Sequence, residues 1–259
     1  MVNGEGKSVK GKEGSVIGNV FRGFALAVSM LTTLPFFRVH DFFRGINGYA
    51  VMSYPLVGAL LGGILYGAYA VCAPYFPAEH LKIVLLFLWV LLTGALHLDG
   101  FADTVDGLFV PKEKAEAVMK DPHVGGMGMV FTGVFLLLKA SALWHLDALW
   151  ALPPVLLLAR WNAVLAIGLY PYIRSAGMAS LAKAELTRTQ LAVAGLIALS
   201  AALLWPHGWL LLLGSLGTLL AVGHFFVRRL GGFSGDIYGF LIEVTELVLL
   251  HLLLAGAAA

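Results

Sequence analysis

Gly48–Tyr75 reads GYAVMSYPLVGALLGGILYGAYAVCAPY, without one charged side chain. A helix rises about 1.5 Å per residue, so ~20 apolar residues cross the ~30 Å hydrocarbon core of a bilayer. This stretch is long enough to do so, and it fixes the fold class as helical and membrane-embedded. Its glycines Gly58, Gly62 and Gly63 have the small-xxx-small spacing that lets membrane helices approach closely. Six more apolar stretches follow: Leu81–Leu98, Val124–His145, Leu149–Tyr172, Leu191–Trp205, Gly208–Val227 and Tyr238–Leu254. Pro74 and Pro77, Pro111 and Pro122, Pro171, and Pro206 punctuate them as helix breakers should. The turn at Pro206–Gly208 predicts a hairpin between the fifth and sixth stretches.

Upstream, Gly23–Phe37 is apolar, bounded by Arg22 and Arg38, and short for a span. It reads as a re-entrant or interfacial helix, with a full span as the alternative. Residues 1–16 are polar, Gly- and Lys-rich, and expected to be a disordered leader. The expectation is therefore an all-α polytopic bundle of about seven transmembrane helices plus that N-terminal helix, with residues 17–259 forming one domain.

Composition agrees. Hydrophobic residues make up 59% of the chain and charged residues 12%, about half the usual share in soluble domains. The formal net charge of +2 argues against nucleic acid as a partner. The single cysteine, Cys72, excludes an intrachain disulfide.

If Gly48 starts inside and seven spans alternate, one side receives Lys7, Lys10, Lys12, Arg22, Arg38, Arg44, Lys112, Lys114, Lys120, Arg174, Lys183, Arg188, Arg228 and Arg229. The other receives only Lys82. Basic loops mark the cytoplasmic side. Lys139 and Arg160 fall within spans. Lys139, with its long stem, is read as snorkelling outward.

Three motifs carry chemistry, and all map to that cytoplasmic side. HLDGFADTVDG at 97–107 places Asp99, Asp103 and Asp106 at i, i+4 and i+7, one face of a helix. Stacked carboxylates near hydrocarbon repel and call for a cation, and such a set suits hard ions such as Mg²⁺ or Mn²⁺ that also engage phosphates. His97 beside them reads as a ligand, a base or a packed polar residue. MKDPHVGGMG at 119–128 precedes a span. There the backbone at Gly125, Gly126 and Gly128, with Lys120, can offer donors to phosphate. GGFSGD at 231–236 supplies Ser234 and Asp236, followed by Glu243 and Glu246 inside the last span. Arg160, within the fourth span, needs a carboxylate or a phosphate. Arg228 and Arg229 read first as basic flank.

Together these motifs resemble the cobalamin-5'-phosphate synthase (adenosylcobinamide-GDP ribazoletransferase) family, as do Leu31-Thr32-Thr33-Leu34-Pro35 and Tyr54-Pro55-Leu56-Val57-Gly58. The resemblance runs from about residue 20 to 250. The chain departs from the family pattern in having Pro122-His123 in place of Ser-Arg, and Ser234 in place of Thr.

The resemblance implies a late step of cobalamin biosynthesis, Mg²⁺ dependence and a multi-pass location in the bacterial inner membrane. The implied reaction joins α-ribazole or its 5'-phosphate to adenosylcobinamide-GDP with release of GMP, by attack of a ribose hydroxyl at a diphosphate. In that frame Asp99, Asp103, Asp106 and Asp236 are metal ligands. Asp106 is the general base, with His97 its rival. Lys120, Gly125, Gly126, Gly128, Arg160 and Ser234 hold substrate. The competing enzyme class is a CDP-alcohol phosphatidyltransferase, whose pattern has an Ala-Arg after the first Asp-Gly; here Gly100-Phe101-Ala102-Asp103 lacks it. An ion or solute transporter is the non-enzyme alternative, although no internal repeat is visible. The oligomeric state, including a homo-oligomer, is left open.

Overall fold

The computed structural model describes residues 15–35, 42–174 and 177–257. Lys7, Lys10, Lys12, Arg38 and residues 1–14 of the leader lie outside them. Ser15 and Val16, assigned to the disordered leader above, instead begin the first helix. Ser15 Oγ accepts the Gly18 N–H at 3.2 Å and caps it.

Eleven α-helices are described: α1 Val16–Leu31, α2 Ile46–Cys72, α3 Ala78–Thr93, α4 Leu96–Leu108, α5 Lys112–Val118, α6 Gly126–His145, α7 Leu152–Leu169, α8 Met178–Glu185, α9 Arg188–Leu204, α10 Gly208–Leu230 and α11 Gly235–Ala257. No strand occurs among the described residues. Five helical segments are long and apolar enough to cross a membrane, and seven if two bent pairs count as one span each. The chain is a polytopic all-α bundle, as its sequence predicts.

Two spans differ from the straight rods expected. The second breaks after Thr93, and α4 turns 87° from α3. Gly94 and Ala95 both adopt left-handed backbone (φ 59° and 56°), which ends α3 and redirects the chain. The end of α3 leaves carbonyl capacity to be filled, although Gly94 N–H already donates to Leu91 O at 3.1 Å. Thr33 adds two donors there, its N–H to Leu92 O at 2.8 Å and its hydroxyl to Leu91 O at 2.9 Å. The fifth span is preceded by α8, bent 97° from α9.

That contact also explains α1. Its middle rests against the start of α2, where a Cβ on Gly23 would lie 2.7 Å from the Tyr49 carbonyl carbon. Its end reaches the α3–α4 break, and by Ile46 the chain is back at the start of α2.

α7 forms the axis of the bundle, and 78% of its span is buried. Gly58 and Gly62 of α2 pack directly on its backbone. A Cβ on Gly58 would lie 2.6 Å from the Leu156 carbonyl carbon, and one on Gly62 2.6 Å from that of Leu152. Gly63 faces open space and takes no part in this contact. Asn162 of α7 donates to Ser215 O at 2.8 Å and Thr245 Oγ1 at 3.0 Å, joining α7 to α10 and α11.

Four buried charges cross-link the same helices. Lys139 of α6 donates to Glu243 Oε2 at 2.8 Å and also to Glu246, both on α11. Arg160 of α7 donates to the other oxygen of Glu246. Lys139 is 2% exposed, its Nζ 4.0 Å from the centre of the Trp89 ring, so it points into the bundle rather than snorkelling outward. Two cations and two carboxylates cancel, which is how charge is tolerated at this depth.

Candidate active site

The three motifs converge at one end of the bundle, and each is held there by a distinct local device. α4 and α11 pack closely through glycine: a Cβ on Gly100 would lie 2.8 Å from Asp236 O, and one on Gly239 3.1 Å from His97 O. This brings the acidic helix against the start of α11. Ser234 caps α11, its Oγ accepting the Ile237 N–H at 3.3 Å and standing 3.3 Å from Asp236 Oδ2 as a donor.

The loop before α8 is stitched to the loop before α11. Tyr172 and Phe233 form an isolated parallel bridge, with Ile173 N–H donating to Phe233 O at 2.9 Å and Phe233 N–H to Pro171 O at 2.8 Å. Gly231 ends α10 in left-handed backbone (φ 87°), and at Gly232 a side chain would run into the Pro171 carbonyl. The stitch carries Arg174 to Asp236, where its Nη2 donates to Oδ2. Arg174 also reaches Met119 O at 3.5 Å, and its Nε has no partner. Sequence reading counted Arg174 only as a basic loop residue. The one available signal was its position just after the fourth span, on the side that carries the acids.

Asp106 has a different role from its neighbours. Its Oδ2 accepts the Gly125 N–H and its Oδ1 the Gly128 N–H, each at 2.8 Å. A side chain at either glycine would occupy the space of this carboxylate, whereas Gly126 faces open space. The glycine-rich motif thus closes first on a protein carboxylate, one that satisfies the free N–H groups at the start of α6. The end of α4 is held in turn by Arg229, which donates to Leu108 O at 2.8 Å and Val110 O at 3.0 Å.

Asp99 is exposed and Asp103 half-buried, and neither has a hydrogen-bond or ion-pair partner among the described residues. Asp103 feels the charges of Asp99, Asp236 and Asp106, with Arg174 opposing them. Among the described residues no three His, Cys, Asp or Glu side chains converge into a ready-made metal cage. Mg²⁺ commonly takes only one or two carboxylates and draws its remaining ligands from water and substrate phosphates. The unpartnered pair Asp99 and Asp103 fits that mode.

Three residues expected to contact substrate lie elsewhere or are otherwise engaged. Arg160 is fully buried on Glu246, away from the mouth. Lys120 is exposed and pairs with Glu116 at 2.6 Å on its own helical turn. Ser234 is buried as a cap. His123, at the departure noted above, donates its backbone N–H to Asp121 at 3.0 Å, and its ring lies 2.7 Å away. These contacts hold the Asp121 carboxyl below its usual range.

A cavity of about 330 Å³ opens where Asp99, Arg174 and Asp236 meet, and runs inward past His97, Tyr172 and Tyr238. Taken together, the fold and this site define a polytopic membrane protein with an acidic mouth over an internal cavity. The profile of the family described as cobalamin-5-phosphate synthase matches residues 23–254. The chain belongs to that family. It is 38% identical to the adenosylcobinamide-GDP ribazoletransferase of Desulforamulus reducens, over 92% of this chain and 98% of the relative. It is 37% identical to the same-named protein of Deinococcus radiodurans, over 89% and 84%. With that of Pseudomonas putida it shares 36% identity over 86% and 95%. No solved structure matches the chain.

Proposed function

We propose that the protein joins α-ribazole, or its 5'-phosphate, to adenosylcobinamide-GDP with release of GMP, working from the cytoplasmic face of a bacterial inner membrane. The observation that carries this reading is the meeting of Asp99, Asp236 and Arg174 at the mouth of one cavity, within a chain matched along nearly its whole length by the family. The side on which these residues gather is the side that receives the basic loops, hence the orientation. The CDP-alcohol reading finds no support in the family match. A transporter site would be expected near the bilayer midplane, whereas these acids gather at one end.

The reaction is a displacement at phosphorus. The ribose hydroxyl oxygen forms a bond to the phosphorus that carries the cobinamide arm, and the bond from that phosphorus to the GMP oxygen breaks. Arg174, with a donor to spare, holds a diphosphate oxygen, and Asp236 fixes its guanidinium in place. Asp99 lines the cavity, has no partner, and accepts the hydroxyl proton. Asp106, with both oxygens engaged, positions α6 against α4. Its assignment as base therefore passes to Asp99. Mg²⁺, held by Asp103 with water and substrate phosphates as its other ligands, would neutralise the diphosphate and steady the leaving oxygen, leaving Asp99 free as the base.

The test is GMP release by the purified protein in nanodiscs. GMP should appear from adenosylcobinamide-GDP only when α-ribazole or its phosphate and Mg²⁺ are both present. Release without the acceptor, or none with all components, would overturn the reading.

A further inference from the structure

Behind its charged mouth the cavity changes character. Leu31, Ile167 and Ile242 give it apolar walls, and the rings of Tyr172 and Tyr238 stack along it with centroids 6.2 Å apart and planes 10° apart. Of the polar side chains along its inner part, His97 and Tyr238 are orphaned. His97 is 3% exposed with neither ring nitrogen hydrogen-bonded, and Tyr238 is 6% exposed with an unpartnered hydroxyl. Buried polar groups in native proteins nearly always have partners. Two without partners on one cavity mark where a ligand supplies them.

The chemistry of that ligand can be narrowed. Lys139 and Arg160 are ion-paired with Glu243 and Glu246 and do not line the cavity, while Arg174 stands at its mouth, so a phosphate is favoured at the mouth rather than inside. A volume of about 330 Å³ sits at the low end of small-molecule sites, ~300–1,000 Å³, too small for a corrin ring system. A flat, neutral fused heterocycle with a single edge nitrogen fits both the walls and the orphans.

We infer that this cavity is the acceptor subsite: it takes the aromatic base of the nucleoside, with His97 and Tyr238 at the edge of the base and the ribose hydroxyl emerging beside Asp99. This inference rests on the proposed transfer reaction and adds His97, Tyr238 and Ile167 as specificity-determining residues. His97 thereby acts as a binding group within the cavity, and Asp99 takes the proton.

The probe is 1-methylbenzimidazole, measured by equilibrium dialysis against the full chain in nanodiscs. Binding should saturate, and α-ribazole but not GMP should displace it. Ile167→Trp fills the cavity and should weaken binding at least about tenfold, while Tyr238→Phe, which keeps the shape, should weaken it about three- to tenfold. The KM for α-ribazole should rise in parallel, and the KM for adenosylcobinamide-GDP should stay within about twofold. If Ile167→Trp fails to fold, Tyr238→Phe decides the matter alone. Displacement by GMP, or unchanged affinity in the folded variants, would overturn the inference. Wild-type protein that binds the probe with this displacement pattern, yet releases no GMP from donor and acceptor together, would remove the reaction and leave the subsite standing.

Discussion

Arg174 Nη2 donates to Asp236 Oδ2, a pair that links the α7–α8 loop to the first turn of α11 across more than sixty residues of chain. Both side chains are partly exposed at the mouth, 16% and 19%, so the pair adds little to folding. Its effect should be read in chemistry. Asp236→Asn and Arg174→Gln are each expected to lower turnover by about a hundredfold or more, near 2.7 kcal/mol of barrier, with melting in detergent almost unchanged. The double variant should be little worse than either single one, because the two act as a unit. Additive losses measured in that cycle would separate their roles.

Asp106 should behave in the opposite way. An amide in its place offers only one accepting oxygen to the Gly125 and Gly128 N–H groups. Asp106→Asn should therefore cost about 1–3 kcal/mol of stability and lower the melting temperature. Gly128→Ala should do the same through overlap with the carboxylate, while Gly126→Ala should melt like wild type, since its side chain meets open space. Equal melting of the two glycine variants would contradict the clamp.

The buried cluster makes a third distinction. Glu246→Gln leaves Lys139 and Arg160 sharing one carboxylate, and breaking a buried pair in this way typically costs about 3–5 kcal/mol. Arg160→Met paired with Glu246→Met removes opposite charges together and should recover much of that loss. Yield and thermal stability of the three proteins measure it. A stable Arg160→Met single variant with a raised KM for adenosylcobinamide-GDP would restore Arg160 to the substrate site.

The orientation can be tested in intact cells. With Cys72 replaced, cysteine introduced at Glu113 should resist an impermeant thiol reagent added outside, and cysteine at Glu79 should react. Labelling at 113 from outside would invert the topology.

Much of this arrangement was legible in the chain. Uncharged stretches such as Gly48–Tyr75 announce themselves because a bilayer tolerates few alternatives to a helix. The three motifs were found because acids are costly near hydrocarbon and because, taken with the glycines, they resemble one family's pattern. What remained hidden depended on three-dimensional partnership. Nothing local distinguishes Asp106 from Asp99 and Asp103. Its role follows from Gly125 and Gly128 arriving beside it. Arg174 looked like any basic loop residue until the Tyr172–Phe233 bridge set it against Asp236. Arg160 was recognised as needing a partner, yet Glu243 and Glu246 offered several pairings, and Lys139 was read as snorkelling outward because nothing local shows that Glu243 and Glu246 face it. The break at Gly94–Ala95 was missed because the apolar run continues through it. Backbone handedness, rather than hydropathy, makes the turn.

Because Lys139 and Arg160 belong to α6 and α7 while Glu243 and Glu246 belong to α11, a ribosome delivers the cations first. Until the final helix emerges, two ammonium- and guanidinium-bearing segments must wait in or near lipid without counter-ions, a costly state that favours partial exposure to water or to the insertion machinery. Arrival of α11 neutralises both at once, so bundle closure is tied to completion of synthesis. A chain terminated before Glu243 would retain most of its hydrophobic surface and still lack the element that lets it settle. Quality control at the membrane could therefore recognise an unfinished copy by charge alone.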